Sequence, residues 1–109
     1  MIKGKERIMG HVVLTGIIER EEDQFVSYCP ELGVASCGDT VDEAIDNLGD
    51  AIQVQLDALE ETGELRRVFH ERNIRIDLSP PPFDGVSIKV PPGKICYTYP
   101  RQVPIAGVA

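Results

Sequence analysis

Residues 24–63, QFVSYCPELGVASCGDTVDEAIDNLGDAIQVQLDALEETG, decide the fold of this 109-residue chain. Residues 24–29 alternate in the way of a half-buried strand. Residues 30–33 predict a turn, and a second short extended piece ends at Cys37. A long helical pattern follows directly, so we expect one helix to cover the sheet that these strands begin.

A capping box and a regular apolar period predict the helix. The Thr40 hydroxyl can accept from the N–H of Glu43, whose carboxylate reaches back. Gly63 is placed to end the helix in the left-handed conformation. Gly49 fits least well: glycine costs a helix about 1 kcal/mol relative to alanine, which indicates close approach of a strand or another chain. The apolar residues, spaced for one buried face, are Val41, Ala44, Ile45, Leu48, Ala51, Ile52, Leu56 and Leu59.

The same helix carries the strongest charge asymmetry in the chain. There are 11 basic and 18 acidic residues, and 9 of the acids lie between positions 39 and 64 without a Lys or Arg among them. Such a surface repels phosphate and suits water or a basic partner. Two interpretations stay open: a solvated helix face, which is the usual role of a charge run, and a docking surface for a basic protein.

Composition divides the chain into three regions. Residues 1–9 are expected to be a flexible leader, and residues 10–78 an α/β core with a first strand at 11–20. Residues 79–109 are a proline-rich strand segment that completes the sheet or forms an oligomer interface, as one strand or a hairpin at a sheet edge. The predicted fold class is α+β. An antiparallel sheet of three to four strands packs against one long helix in the order β-β-β-α-β, and a short second helix begins near Leu65.

Cysteine and hydropathy patterns indicate a cytoplasmic protein. Cys29, Cys37 and Cys96 are an odd count without CxxC spacing, so neither a disulfide framework nor a zinc site is indicated. Cys29 and Cys37 flank a turn and could face each other in a hairpin. The longest apolar run, residues 12–18, is far shorter than the roughly 20 residues that span a bilayer, and we see no signal peptide.

The sequence contains few patterns that support catalysis. The two histidines have no neighbouring pattern for a metal or a nucleophile, and no phosphate-binding or nucleophile motif is present. Glu19, Glu31 and Asp39 are the only carboxylates suited to a two-metal nuclease, and turn or cap roles explain them more simply. We therefore expect no enzyme activity, no metal and no cofactor.

The motif around the turn and the helix start resembles the HicB-like antitoxin family. The matching residues are Tyr28-Cys29-Pro30-Glu31-Leu32, Ser36, Gly38-Asp39-Thr40, Glu43-Ala44, Asn47-Leu48 and Ala51-Ile52. The resemblance implies a truncated ribonuclease H-like domain that has lost its catalytic acids. It also implies an oligomer that binds and inhibits a small basic mRNA-cleaving toxin of the HicA type.

Two functional hypotheses follow from the residues and the resemblance together. In the first, the chain neutralises such a toxin through Glu31 and the helix acids Asp42, Asp46, Asp50 and Asp57. In the second, it is an orphan HicB-like domain that forms a dimer or tetramer and has no toxin partner. DNA binding is not expected, because no helix-turn-helix pattern follows the core.

Overall fold

The computed structural model describes residues 7–78, 87–90 and 93–107. The elements, in chain order, are β1 (Arg7–Glu21), β2 (Gln24–Cys29), β3 (Val34–Gly38), α1 (Val41–Glu61), α2 (Leu65–Glu71), β4 (Ser87–Val90) and β5 (Lys94–Gly107). The sheet has the order β3-β2-β1-β5-β4, and every neighbouring pair is antiparallel. The predicted α+β class, with one long and one short helix, is therefore confirmed. The short β4 brings the sheet to five strands, one more than the upper predicted number.

The two ends of the described chain meet in the sheet. β1 begins at Arg7, so residues 7–9 of the predicted leader belong to a strand, while residues 1–6 lie outside the described part. β5 pairs with β1 of the same chain, from Lys94 opposite Glu19 to Gly107 opposite Arg7. β5 is thus an inner strand over its first residues, and β4 forms the edge.

The prolines of β5 lie where the strand has one neighbour among the described residues. β4 pairs with β5 only as far as Tyr97. Pro100 and Pro104 follow, opposite Val13 and Met9 of β1. A proline has no N–H to donate, so it is tolerated on the unpaired side of a strand. Residues 79–86, 91 and 92, where the other C-terminal prolines fall, are outside the described part.

One face of the sheet packs against α1 and forms the core. Val12, Leu14 and Ile18 of β1 are at most 1% exposed. Ser27 of β2 is also fully buried, and its hydroxyl donates to the carbonyl oxygen of Ala44 at 2.9 Å, which fixes α1 on the sheet. Burying one Leu or Ile side chain contributes about 1.5–3 kcal/mol. The helix residues buried on this face are Ala44, Leu48, Ile52, Leu56 and Leu59.

Both predicted ends of α1 are observed. Thr40 Oγ1 accepts from the Glu43 N–H at 3.0 Å, and Glu43 Oε1 accepts from the Asp39 N–H at 2.9 Å. At the other end Gly63 has φ 74°, and the Glu64 N–H donates to the Leu59 carbonyl at 2.9 Å. This is the Schellman arrangement, which satisfies the last carbonyls of the helix. Neither described helix is long and apolar enough to cross a membrane.

Candidate partner-binding surface

Three carboxylates form a straight row on the exposed side of α1. Asp42, Asp46 and Asp50 follow one another at four-residue intervals, and all are exposed. Residues at this spacing lie about 6 Å apart on a helix. None of the three forms a salt bridge with another described residue. We call Asp42, Asp46 and Asp50 the acidic row.

The acidic row borders a groove between α1 and β5. The groove has a volume of about 330 Å³. Asp46 and Asp50 stand on its helix side, and Tyr99 and Arg101 stand on its strand side. The remaining lining residues are Ile45, Gly49 and Gln53.

Gly49 provides the floor of this groove. A Cβ atom at position 49 would lie 2.8 Å from the Tyr99 hydroxyl, closer than side-chain carbons normally come. The prediction that this glycine marks the close approach of another element is therefore confirmed, and that element is β5. Glycine lowers the helix propensity at position 49, but it leaves room for the Tyr99 side chain to lie beside the helix.

The strand side of the groove is built from stacked side chains. The Arg101 guanidinium lies over the Tyr99 ring, 5.4 Å from its centroid. Tyr99 in turn meets Tyr97 edge to face, with centroids 6.4 Å apart. Burial raises the pKa of Tyr97 from 10.0 to about 12. The aromatic pair Tyr97 and Tyr99 thus holds the Arg101 guanidinium opposite the carboxylates of Asp46 and Asp50.

This arrangement is suited to binding charged side chains of another protein. The carboxylates can accept from arginine or lysine, and charge-assisted hydrogen bonds of this kind are roughly twice as strong as neutral ones. Asp57, the fourth predicted helix acid, is also exposed but accepts from Gln53 Nε2 at 2.8 Å. It lies two turns beyond Asp50, so it extends the acidic side without lining the groove.

The structure shows a structural role for Glu31 in the turn, one of the two roles that the sequence suggested for it. Its two carboxylate oxygens accept from the Thr15 N–H at 2.9 Å and from the Thr15 hydroxyl at 2.7 Å. β2 pairs with β1 only from Ile17 onward, so Thr15 has no β2 residue opposite it. Glu31 supplies the missing acceptor and thereby anchors the turn to β1. Its carboxylate is already engaged within the chain, and a contact between Glu31 and a partner stays a prediction.

The other residues of the predicted motif are mainly architectural. A Cβ atom at Gly38 would lie 2.6 Å from the Ala44 nitrogen, so only glycine allows the helix to start this close to β3. The Asn47 side-chain amide donates to the Cys37 carbonyl at 2.8 Å and ties β3 to α1. Pro30 is exposed in the turn, and Tyr28 is half-buried on the sheet face opposite α1.

The cysteines and candidate nuclease acids are dispersed. Cys29 pairs with Val34 in the strand register and Cys37 with Val26, so the two thiols do not face each other, and all three cysteines are free. Burial raises the pKa of Cys29 from 9.0 to about 11. Among the described residues, no three His, Cys, Asp or Glu side chains form a cluster that could hold a metal ion.

No family model, curated protein or solved structure matches this chain. The assignment of function therefore depends on its own residues. Sequence reasoning found the acidic row but missed Tyr99 and Arg101, which complete the groove. The available signals were Gly49, which indicates a close neighbour, and the alternation along β5 that places Tyr97, Tyr99 and Arg101 on one side of the strand.

Proposed function

We propose that this protein is a non-catalytic antitoxin-like binding module that neutralises a small basic mRNA-cleaving toxin by direct contact. The partner contacts the acidic row and the adjoining groove. One observation carries the proposal: Asp42, Asp46 and Asp50 are exposed, aligned and free of salt bridges with described residues. A basic protein can supply the charges that this surface lacks.

The energetics of α1 favour a binding role for the acidic row over a purely structural one. Like charges four residues apart destabilise a helix by about 0.2–0.5 kcal/mol per pair. Asp42 is stabilised by the positive helix N-terminus, but Asp46 and Asp50 lie beyond the first turn. Their repulsion is relieved when a cationic side chain lies between them, which links partner binding to stabilisation of the helix.

We extend the proposal to the fold and to its setting. The order β-β-β-α supports a partial ribonuclease H-like domain of the HicB-like type, acting in the cytoplasm without a catalytic centre. Glu19 is paired with Lys94, with 3.7 Å between Oε2 and Nζ. The Glu31 carboxylate anchors its turn to Thr15, and the Asp39 N–H donates to Glu43 in the helix cap. Each candidate nuclease acid, or its backbone, thus has a structural partner that supports the non-catalytic interpretation.

Co-expression with a neighbouring basic protein tests the proposal. If a short reading frame beside the gene encodes a basic protein that arrests growth, this chain should restore growth and form a complex with it. The double variant Asp46→Lys, Asp50→Lys should lose both effects while keeping the wild-type circular dichroism spectrum. Rescue should survive Glu21→Lys with Glu22→Lys, which makes the same charge change at the end of β1 and in the turn that follows it.

The salt dependence of the affinity between the chain and its basic partner provides a second test of the proposal. An electrostatically steered complex loses affinity as salt rises. Hen lysozyme serves as a basic control protein. If the chain bound basic proteins only through its net negative charge, it would bind lysozyme equally well. Growth rescue that is insensitive to charge reversal at positions 46 and 50 would place the toxin contact elsewhere. Absence of any toxic basic partner, together with self-association, would instead support the orphan oligomer.

A further inference from the structure

The helix-facing side of β5 is only partly covered. Tyr97 and Tyr99 pair with Gly16 and Leu14 of β1, and residues directly opposite each other on neighbouring strands share one face of the sheet. Both tyrosines therefore lie on the side that holds the core. Leu14 is fully buried there, but Tyr97 and Tyr99 are only half-buried. The described helices thus leave an aromatic surface on the middle of β5.

This aromatic surface lies where a second helix would pack on the sheet. α1 packs on β3, β2 and β1, and β2 is the middle strand of the three. Helices packed side by side lie about 8–10 Å apart, and neighbouring strands lie about 4.8 Å apart. A helix beside α1 would therefore lie two strands along the sheet from β2, which is the position of β5.

The two walls of the groove run side by side with a regular step. Gly49 lies beside Tyr99, and one helical turn further on Gln53 lines the same groove together with Arg101. Four helix residues advance about 6 Å and two strand residues about 6.6 Å, so the walls stay in step. The acidic row repeats at the same four-residue interval along the helix wall.

We propose, in an inference that rests on the proposed function, that an amphipathic helix of the basic partner occupies the groove, beside α1 and on β5. Lysine or arginine side chains four residues apart on such a helix repeat at about 6 Å, which matches the acidic row. Apolar side chains on the neighbouring stripe of the helix lie on Tyr97 and Tyr99. The groove volume of about 330 Å³ holds these side chains while the partner backbone stays above them.

Backbone hydrogen bonding and charge both favour a helix with one basic side. A helix satisfies its own backbone N–H and C=O groups, whereas an extended segment on the face of a sheet has no strand edge to pair with. Arg101 on the strand wall repels cations. The partner helix therefore presents its basic stripe to α1 and an uncharged stripe to β5, and a segment that is basic on all sides fits less well.

Two synthetic peptides of equal composition test this contact. Both have about 18 residues, which is about 27 Å as a helix. In the first peptide, arginines recur every four residues beside a stripe of leucines. In the second, the same residues are rearranged so that the arginines fall at every second position. Fluorescence anisotropy with the full chain at low salt should show about tenfold tighter binding of the first peptide, and its helical circular dichroism should increase on binding.

Two neighbouring positions of α1 provide matched variants. Gln53 lines the groove, whereas Val54 is 69% exposed and is not among the residues that line it. Gln53→Trp fills one end of the groove without changing any charge, so it should weaken binding of the first peptide about tenfold. Val54→Trp should leave the affinity within about twofold, and circular dichroism of the free variants confirms that both fold.

A contact through a partner helix and the toxin contact itself fail in distinguishable ways. Equal binding of the two peptides, or no binding of either at about 100 µM chain, overturns the helix contact, as does equal weakening by the two tryptophan variants. A toxin complex that is lost on Asp46→Lys with Asp50→Lys but unchanged by Gln53→Trp also overturns it and leaves the proposed function standing. Selective binding of the first peptide supports the helix contact, even where growth rescue insensitive to those charge reversals contradicts the toxin contact.

Discussion

Replacing Glu31 by alanine separates a structural role for this residue from a role in partner binding. The substitution removes both acceptors of Thr15, at 2.9 Å from its N–H and 2.7 Å from its hydroxyl. A hydrogen bond to a charged group contributes about 1.5–3 kcal/mol. Water can replace part of this at a half-buried site, so we expect Glu31→Ala to lower the free energy of unfolding by about 2 kcal/mol.

The size and origin of this loss can be measured by urea denaturation. A change of about 2 kcal/mol corresponds to a decrease in Tm of roughly 8 °C or more in a chain of this size. Glu31→Gln should recover most of the loss, because the amide oxygen can accept from the Thr15 N–H while its NH₂ group donates to the hydroxyl. Thr15→Val removes only the hydroxyl. A double-mutant cycle with Glu31→Ala should therefore give a coupling energy of about 0.5–1.5 kcal/mol.

Glu21→Ala is the control, since Glu21 is exposed at the C-terminal end of β1. It should change the free energy of unfolding by less than about 0.5 kcal/mol. The reasoning is refuted if Glu31→Ala is as stable as this control. A stable Glu31→Ala variant that fails to bind its partner would establish Glu31 as part of the binding surface.

Three further predictions test the packing and electrostatics of β5. Gly16→Ala should destabilise the fold by about 1–3 kcal/mol, because a Cβ atom there would overlap the Tyr97 ring; thermal unfolding measures it. Burial holds the protons on Cys29 and Tyr97, with pKa values of about 11 and 12, so the free energy of unfolding should fall as pH rises above about 9. Tyr97→Phe should flatten the part of this slope near pH 10–12 in urea titrations. Arg101→Gln should tighten a basic partner about two- to threefold in calorimetry, since a charge about 7 Å away in water is worth about 0.6 kcal/mol.

Local chemistry explains which parts of the fold could be predicted from sequence. The caps of α1 require only residues within a few positions of Thr40 and Gly63. The Thr40 hydroxyl and the Glu43 carboxylate therefore define the start of the helix, and Gly63 defines its end. The boundaries of β2 follow from alternation, and the structure places the buried Ser27 and Cys29 on the face that packs against the helix. β1 ends at Glu21 because this residue pairs with Gln24 of β2. β1 begins at Arg7, earlier than predicted, because its first residues pair with β5. No local pattern reveals that partner across roughly ninety positions.

The site shows the same division between local and distant interactions. The acidic row lies on one helix and is visible as a four-residue period. The groove requires Tyr99 and Arg101 from a strand fifty positions further on, and only Gly49 signals their approach. The sequence predicts a binding role for Glu31 only from the family motif and from the turn in which it lies. The bond to Thr15 exists because β2 leaves β1 unpaired at that point, a consequence of register that the residue sequence near Glu31 does not contain.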